Sequence, residues 1–169
     1  MRGSFARNAV VVAALLVGAL PGCVQPKHPK LHVTHASFTG VDLSVRPLSV
    51  RLHLELTVLA ENPNSFDLKA TRVKGTTTIA EKHEVPVELH PDAGVRANAS
   101  STFAVPIAIP AEMIPSLAKE ALLHPCIPYK FEGTVDLVAT STFELERRDY
   151  PLKKEGCLAR EKLLAVIKP

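Results

Sequence analysis

From Leu48 onward the chain alternates apolar and polar residues: Leu48, Val50, Leu52, Leu54, Leu56, Val58 and Ala60 against Ser49, Arg51, His53, Glu55 and Thr57, with only Leu59 out of step. Successive side chains of an extended strand point to opposite faces, so this period of two predicts a long strand with one face in a core. The same signature, more weakly, marks Val33 to Val45, Phe66 to Ile79, Val85 to Leu89, Phe103 to Ile109, Phe131 to Ala139 and Phe143 to Leu152. In the fourth of these, Phe103, Val105, Ile107 and Ile109 are the inward residues. Asn62-Pro63-Asn64, His90-Pro91-Asp92-Ala93-Gly94 and the stretch near Ser141 punctuate the strands. One segment departs from the pattern. In Ala111 to Leu123, residues Ile114, Leu117, Ala118, Ala121 and Leu122 recur at three- and four-residue steps, and Pro110 and Pro115 suit a first helical turn. A short amphipathic helix is expected there, ended by His124-Pro125. Leu158 to Ile167 reads as a closing helix, with a last strand as the alternative. About seven short strands with one helix insertion predict an all-β, immunoglobulin/fibronectin III-like antiparallel β-sandwich.

The first residues read differently. Arg2 and Arg7 precede an apolar run from Ala9 to Leu20, which stops at Pro21-Gly22-Cys23. A basic start, an apolar middle and a small-residue boundary define a signal peptide over 1–22. The run is too short for a stable membrane span, which needs roughly 20 residues. Leu20-Pro21-Gly22-Cys23 resembles the bacterial lipobox, whose cysteine is acylated and becomes the mature N-terminus; Pro21 is an uncommon occupant. Ordinary secretory cleavage near Gly22 is the alternative. Acyl chains on Cys23 would hold the protein on a membrane at roughly 0.8 kcal/mol per buried methylene. Val24 in place of Asp favours the outer membrane of the envelope. The division expected is a leader at 1–22, a lipidated, solvated tether at 23–30 containing Pro26, Lys27, His28 and Pro29, a sandwich at 31–157 and a C-terminal extension at 158–169.

With Cys23 set aside, Cys126 and Cys157 form an even pair in an oxidising compartment, and a disulfide between them is expected over two buried thiols. Composition narrows function mainly by exclusion. Twenty basic against seventeen acidic side chains leave a formal charge of +3, too little and too scattered for nucleic acid, and stacking aromatics are few. His28, His32 and His35 lie close together without a Cys or carboxylate beside them, so no metal site is expected. His53 with Glu55 and His83 with Glu84 are surface dyads without a nucleophile, and no Gly-x-Ser-x-Gly, His-Glu-x-x-His or phosphate loop is present. Scattered carboxylates such as Asp67, Asp92, Asp136 and Glu144 could pair in space, as they do by chance in most sandwiches. The expectation is a non-catalytic protein without cofactor, metal or small-molecule substrate. Pro63 lacks an N–H and fixes its φ, so it ends the preceding strand, and Asn62 and Asn64 can cap the freed backbone groups.

The long strand running into Asn62-Pro63-Asn64-Ser65-Phe66, the Gly94 turn, the Pro106 strand, the helix, Tyr129-Lys130-Phe131-Glu132-Gly133-Thr134-Val135 and the closing Glu155-Gly156 resemble the late embryogenesis abundant (LEA) type 2 family with its water stress and hypersensitive response (WHy) domain. The resemblance spans Leu31 to Gly156, and Asn62, Pro63, Asn64, Tyr129 and Gly133 carry its most specific motifs. It implies a folded β-sandwich, association with desiccation, cold or defence stress, and, for bacterial members, export or lipid anchoring. The function expected is a lipid-anchored envelope protein that binds or shields proteins or membrane surfaces. The alternative is an adaptor subunit of an envelope assembly or transport complex that offers an edge strand to a protein partner.

Overall fold

A computed structural model describes residues 26–45, 48–140 and 146–167. The leader, Cys23, Phe143 and Glu144 lie outside the described residues. In chain order the described elements are β1 (Lys30–Val45), β2 (Leu48–Asn62), β3 (Leu68–Ile79), β4 (His83–Leu89), β5 (Ala93–Val95), β6 (Ala99–Pro110), a 3₁₀ turn (Ala111–Met113), α1 (Ile114–Leu123), β7 (Cys126–Ala139), β8 (Glu146–Ala159) and α2 (Arg160–Ile167). Two antiparallel sheets form the expected sandwich: β1-β2-β6, and β4-β3-β7-β8 with β5 also paired to β3.

The alternation in β2 works as its period requires. Leu52, Leu54, Leu56, Val58 and Ala60 are buried, while the residues between them reach solvent. β6 repeats the arrangement with Phe103, Val105, Ile107 and Ile109 inward. From the other sheet, Val73, Ile79, Phe131, Val135, Leu137 and Leu152 complete one core between the layers. Pro106, which cannot donate to a ladder, sits outward on β6 at the sheet edge, where it is tolerated.

Three elements differ most from the sequence reading. Gly94 belongs to β5, pairing with Lys69, rather than to a turn; Leu68, Lys69 and Ala70 of β3 capture this short segment on an otherwise open edge. β7 begins at Cys126, since Ile127 and Tyr129 continue the inward alternation ahead of Phe131. β8 runs from Glu146 to Ala159, beyond the expected end at Leu152, because Leu158 keeps the inward parity of Leu152 and pairs with Ile127. The closing segment is helical from Arg160, with Leu163 fully buried.

The sandwich has two dissimilar ends. At one, Asn62 leaves the first sheet and Leu68 opens the second, with Lys30 opposite Glu61 and Val95 opposite Leu68. At the other, α1 bridges Pro110 of the first sheet to Cys126 of the second, and α2 packs on β1 and α1. There the β1–β2 hairpin outruns β6, whose pairing with β2 stops at Arg51, leaving Leu43 65% exposed. Cys126 and Cys157 are disulfide-bonded at this helical end, with Cα atoms 5.5 Å apart.

Candidate functional site

The corner between β2 and β3 is the most heavily bonded polar structure among the described residues. A primary amide taken out of water must find partners for two donors and an oxygen, and both asparagines here are almost wholly buried, Asn62 at 2% exposure and Asn64 at 4%. Asn62 Nδ2 donates to the carbonyl of Phe66 at 2.7 Å and shares its hydrogens with those of Arg96 at 3.2 Å and Val95 at 3.3 Å. Asn62 Oδ1 accepts the backbone N–H and the side-chain Nδ2–H of Asn64, each at 3.0 Å. The Asn64 carbonyl accepts Asn98 N–H at 2.9 Å. One side chain thus ties the end of β2, the turn and the segment after β5 together.

Asn64 turns the other way. Its Oδ1 accepts the backbone N–H of Lys27 at 2.6 Å, and its Nδ2 donates to the Lys27 carbonyl at 3.0 Å. Residues 26–29, which composition presents as a solvated tether, therefore lie against the corner. Pro29 is half-buried there, while Pro26, Lys27 and His28 stay exposed. The rings of His28 and Tyr150 meet edge-on with centroids 6.5 Å apart. Pro26, Lys27 and Pro29 border a hollow of about 250 Å³ whose other walls are Asn64, Phe66, Leu68, Leu137 and Tyr150.

Tyr129 and Gly133 lie elsewhere, on β7. Tyr129 is 5% exposed, and burial pushes its phenol above the usual tyrosine range. Its ring lies over Gly156, its partner on β8, where an added Cβ would stand 2.8 Å from the ring. Gly133 pairs with Gly75, and a Cβ on either would come within 2.5 Å of backbone oxygen on the other's strand. These residues shape the sheet and are separate from the asparagine corner.

Three of the remaining carboxylates are engaged in structural bonds, whereas the imidazoles of His53 and His83 make no hydrogen bond through Nε2. His53 Nε2 sits 2.8 Å from Asp42 Oδ2, an ion-pair distance without hydrogen-bond alignment. Asp67 Oδ1 accepts Ala97 N–H at 2.7 Å, Asp136 Oδ1 accepts Asp149 N–H at 2.9 Å, and Asp92 pairs with Lys69. His32 and His35 are exposed on the outward face of β1 opposite Leu59 and Thr57. No group of three His, Cys, Asp or Glu side chains converges among the described residues. Sequence reasoning missed Lys27 and Tyr150 as parts of the corner, since neither carries a local signal.

No protein-family model and no curated protein matches the sequence. Solved structures do match. A solution structure of an Arabidopsis thaliana protein aligns with a TM-score of 0.53 at 17% identity, over 80% of this chain and 83% of its own. A protein provisionally described as late embryogenesis abundant (LEA) aligns at 0.52 and 14% identity, over 80% and 75%. A crystal structure of a protein from Archaeoglobus fulgidus aligns at 0.51 and 7% identity, over 80% and 97%. The chain shares their fold.

Proposed function

We propose that this chain is a lipid-anchored, non-catalytic envelope protein of the LEA type 2/WHy kind, which protects proteins or membrane surfaces during water stress. The observation that carries the reading is the Asn62-Pro63-Asn64 corner. The motif that gives the sequence its family resemblance is a structural joint in a sandwich whose fold is shared with a provisionally described LEA protein. The asparagine amides, the most heavily bonded polar groups of the corner, are engaged in holding strands together. Acylation of Cys23 supplies the membrane in this proposal, with the outer membrane favoured by Val24.

The test is protection of a drying-sensitive enzyme by residues 24–169, compared with an equal mass of an unrelated β-sandwich. Protection above that control at low molar ratio is the expected result; protection no better than the control would overturn direct shielding. One observation favours the adaptor as the second reading. Leu43, Leu122 and Leu123 are 65%, 72% and 63% exposed on the hairpin and α1, both at the helical end. On β1 an edge-strand mode has less support, because its register shifts between Val33 and His35 and between Phe38 and Gly40. Cross-linking from position 43 in intact envelopes is the measurement specific to the adaptor reading.

A further inference from the structure

We propose that the asparagine corner is a recognition site for an extended Pro-x-x-Pro segment, and that its resident ligand is this chain's own Pro26-Lys27-His28-Pro29. Asn64 uses both ends of its amide on both backbone groups of a single residue, Lys27. That is the pairing a neighbouring strand would supply, and it reads backbone rather than side-chain identity. The receiving group is fixed by the sandwich itself. Asn62 holds the Asn64 amide through its Oδ1 and is held in turn by the carbonyls of Phe66, Val95 and Arg96, none of which belongs to the bound segment. Such preorganisation lowers the cost of binding.

The segment behaves as a ligand in two further respects. It belongs to no strand, since β1 starts at Lys30, and three of its four residues are exposed. Among the described residues it also borders a hollow of about 250 Å³, between Pro26, Lys27 and Pro29 and the apolar wall of Phe66, Leu68, Leu137 and Tyr150. Prolines three residues apart return to the same side of an extended left-handed helix, whose repeat is about three residues. Their fixed φ leaves little conformational freedom to lose on docking. With Lys27 and His28 exposed, the chemistry recognised is the backbone of Lys27, two flanking prolines and the His28 ring, edge-on to Tyr150.

The experiment uses residues 24–169, which retain every described residue, and a labelled peptide, Val-Gln-Pro-Lys-His-Pro-Lys, copied from residues 24–30. The probe is titrated against the unaltered chain and against one carrying Pro26→Gly and Pro29→Gly, which weakens the resident segment. Saturable binding to the Gly-substituted chain, at least tenfold tighter than to the unaltered one, is expected. Adding Asn64→Ala should weaken that binding at least tenfold, as should replacing both prolines of the peptide by Ala. If Asn64→Ala fails to fold, Tyr150→Ala at the rim of the hollow serves instead, with the same expected loss. Equal binding to the two chains, no saturable binding to the Gly-substituted chain, or an affinity indifferent to both Tyr150 and the peptide prolines would overturn the proposal. These outcomes are independent of the drying assay.

Discussion

Thr77 is fully buried on β3, and its hydroxyl has no hydrogen-bond partner. A polar group stripped of water without compensation costs about 1–3 kcal/mol, so removing it while keeping the shape should help. Thr77→Val is expected to stabilise the protein by about 1 kcal/mol, read as a higher denaturant midpoint at unchanged slope. The asparagines of the corner should behave in the opposite sense. Asn62→Ala would orphan the three carbonyls it serves and release Asn64, and a loss of about 2–4 kcal/mol is expected in the same titration, from several buried groups left unpaired at once. Asn64→Ala should cost less, because its partners outside the turn are on the partly exposed segment around Lys27. Equal losses at positions 62 and 64 would contradict this division between a residue that builds the joint and one that grips the segment.

At the scale of elements, the facing pair Gly75 and Gly133 lets β3 and β7 approach where any side chain would strike backbone. Gly133→Ala should therefore destabilise by about 1–3 kcal/mol, as an overpacked contact with unyielding backbone does, whereas Gly94→Ala, with open space around the added carbon, should change little. Thermal melts of the two variants give the comparison. The outer faces of the strand pairs carry ionic links. Arg72 holds the Glu88 carboxyl below its ordinary range across β3 and β4, Lys153 from β8 and Lys130 along β7 do the same for Glu132, and Lys82 does so for Glu120 on α1. A depressed folded value means stability that is complete above the unfolded carboxylate value and lost as pH falls through the folded one. The denaturant midpoint should thus hold from neutrality to about pH 5 and fall below about pH 4, with 1 M salt and Glu132→Gln each reducing the fall. The long strands were legible from sequence because half-burial writes itself as period two in β2 and β6. The break between Ile79 and Val85 was also legible, but the conformation of the β3–β4 turn was not, since Ala80 and Glu81 adopt positive φ values of 53° and 59° without being turn-formers, and Ala80 N–H is steadied by the distant Pro128 carbonyl. β5 was hidden for a related reason: Ala93-Gly94-Val95 has no strand signal of its own and is ordered by the edge of β3. In the corner, Asn62 and Pro63 were readable as a strand end; the partner of Asn64 was not, because it lies 37 residues away in a stretch that composition assigns to solvent.

For the molecule as a whole, the two ends of the sandwich are held by different chemistry. The asparagine corner fastens one through buried amides. At the other, the bond between Cys126 and Cys157 closes a separation of 31 residues, just where β7 leaves α1 and β8 enters α2. The Arg160 N–H reaches the Pro125 carbonyl at 3.3 Å across the same junction, and Ile127, Leu158 and Leu163 are fully buried around it. Closing a loop of that length removes unfolded-state entropy equivalent to about 3–4 kcal/mol. For a chain of this size, such a loss should lower the melting temperature by roughly 10 °C. The reduced protein should keep its fold, and loss of the cross-link should in addition let the junction of β7, β8 and α2 open locally at the helical end. Hydrogen exchange is therefore expected to accelerate at Ile127, Leu158 and Leu163 on reduction, while the backbone N–H groups of Asn64 and Lys27, bonded at the opposite end, keep their protection. Equal acceleration at both ends would mean that the sandwich opens as one unit and that the disulfide and the asparagine corner do not secure separate halves of it.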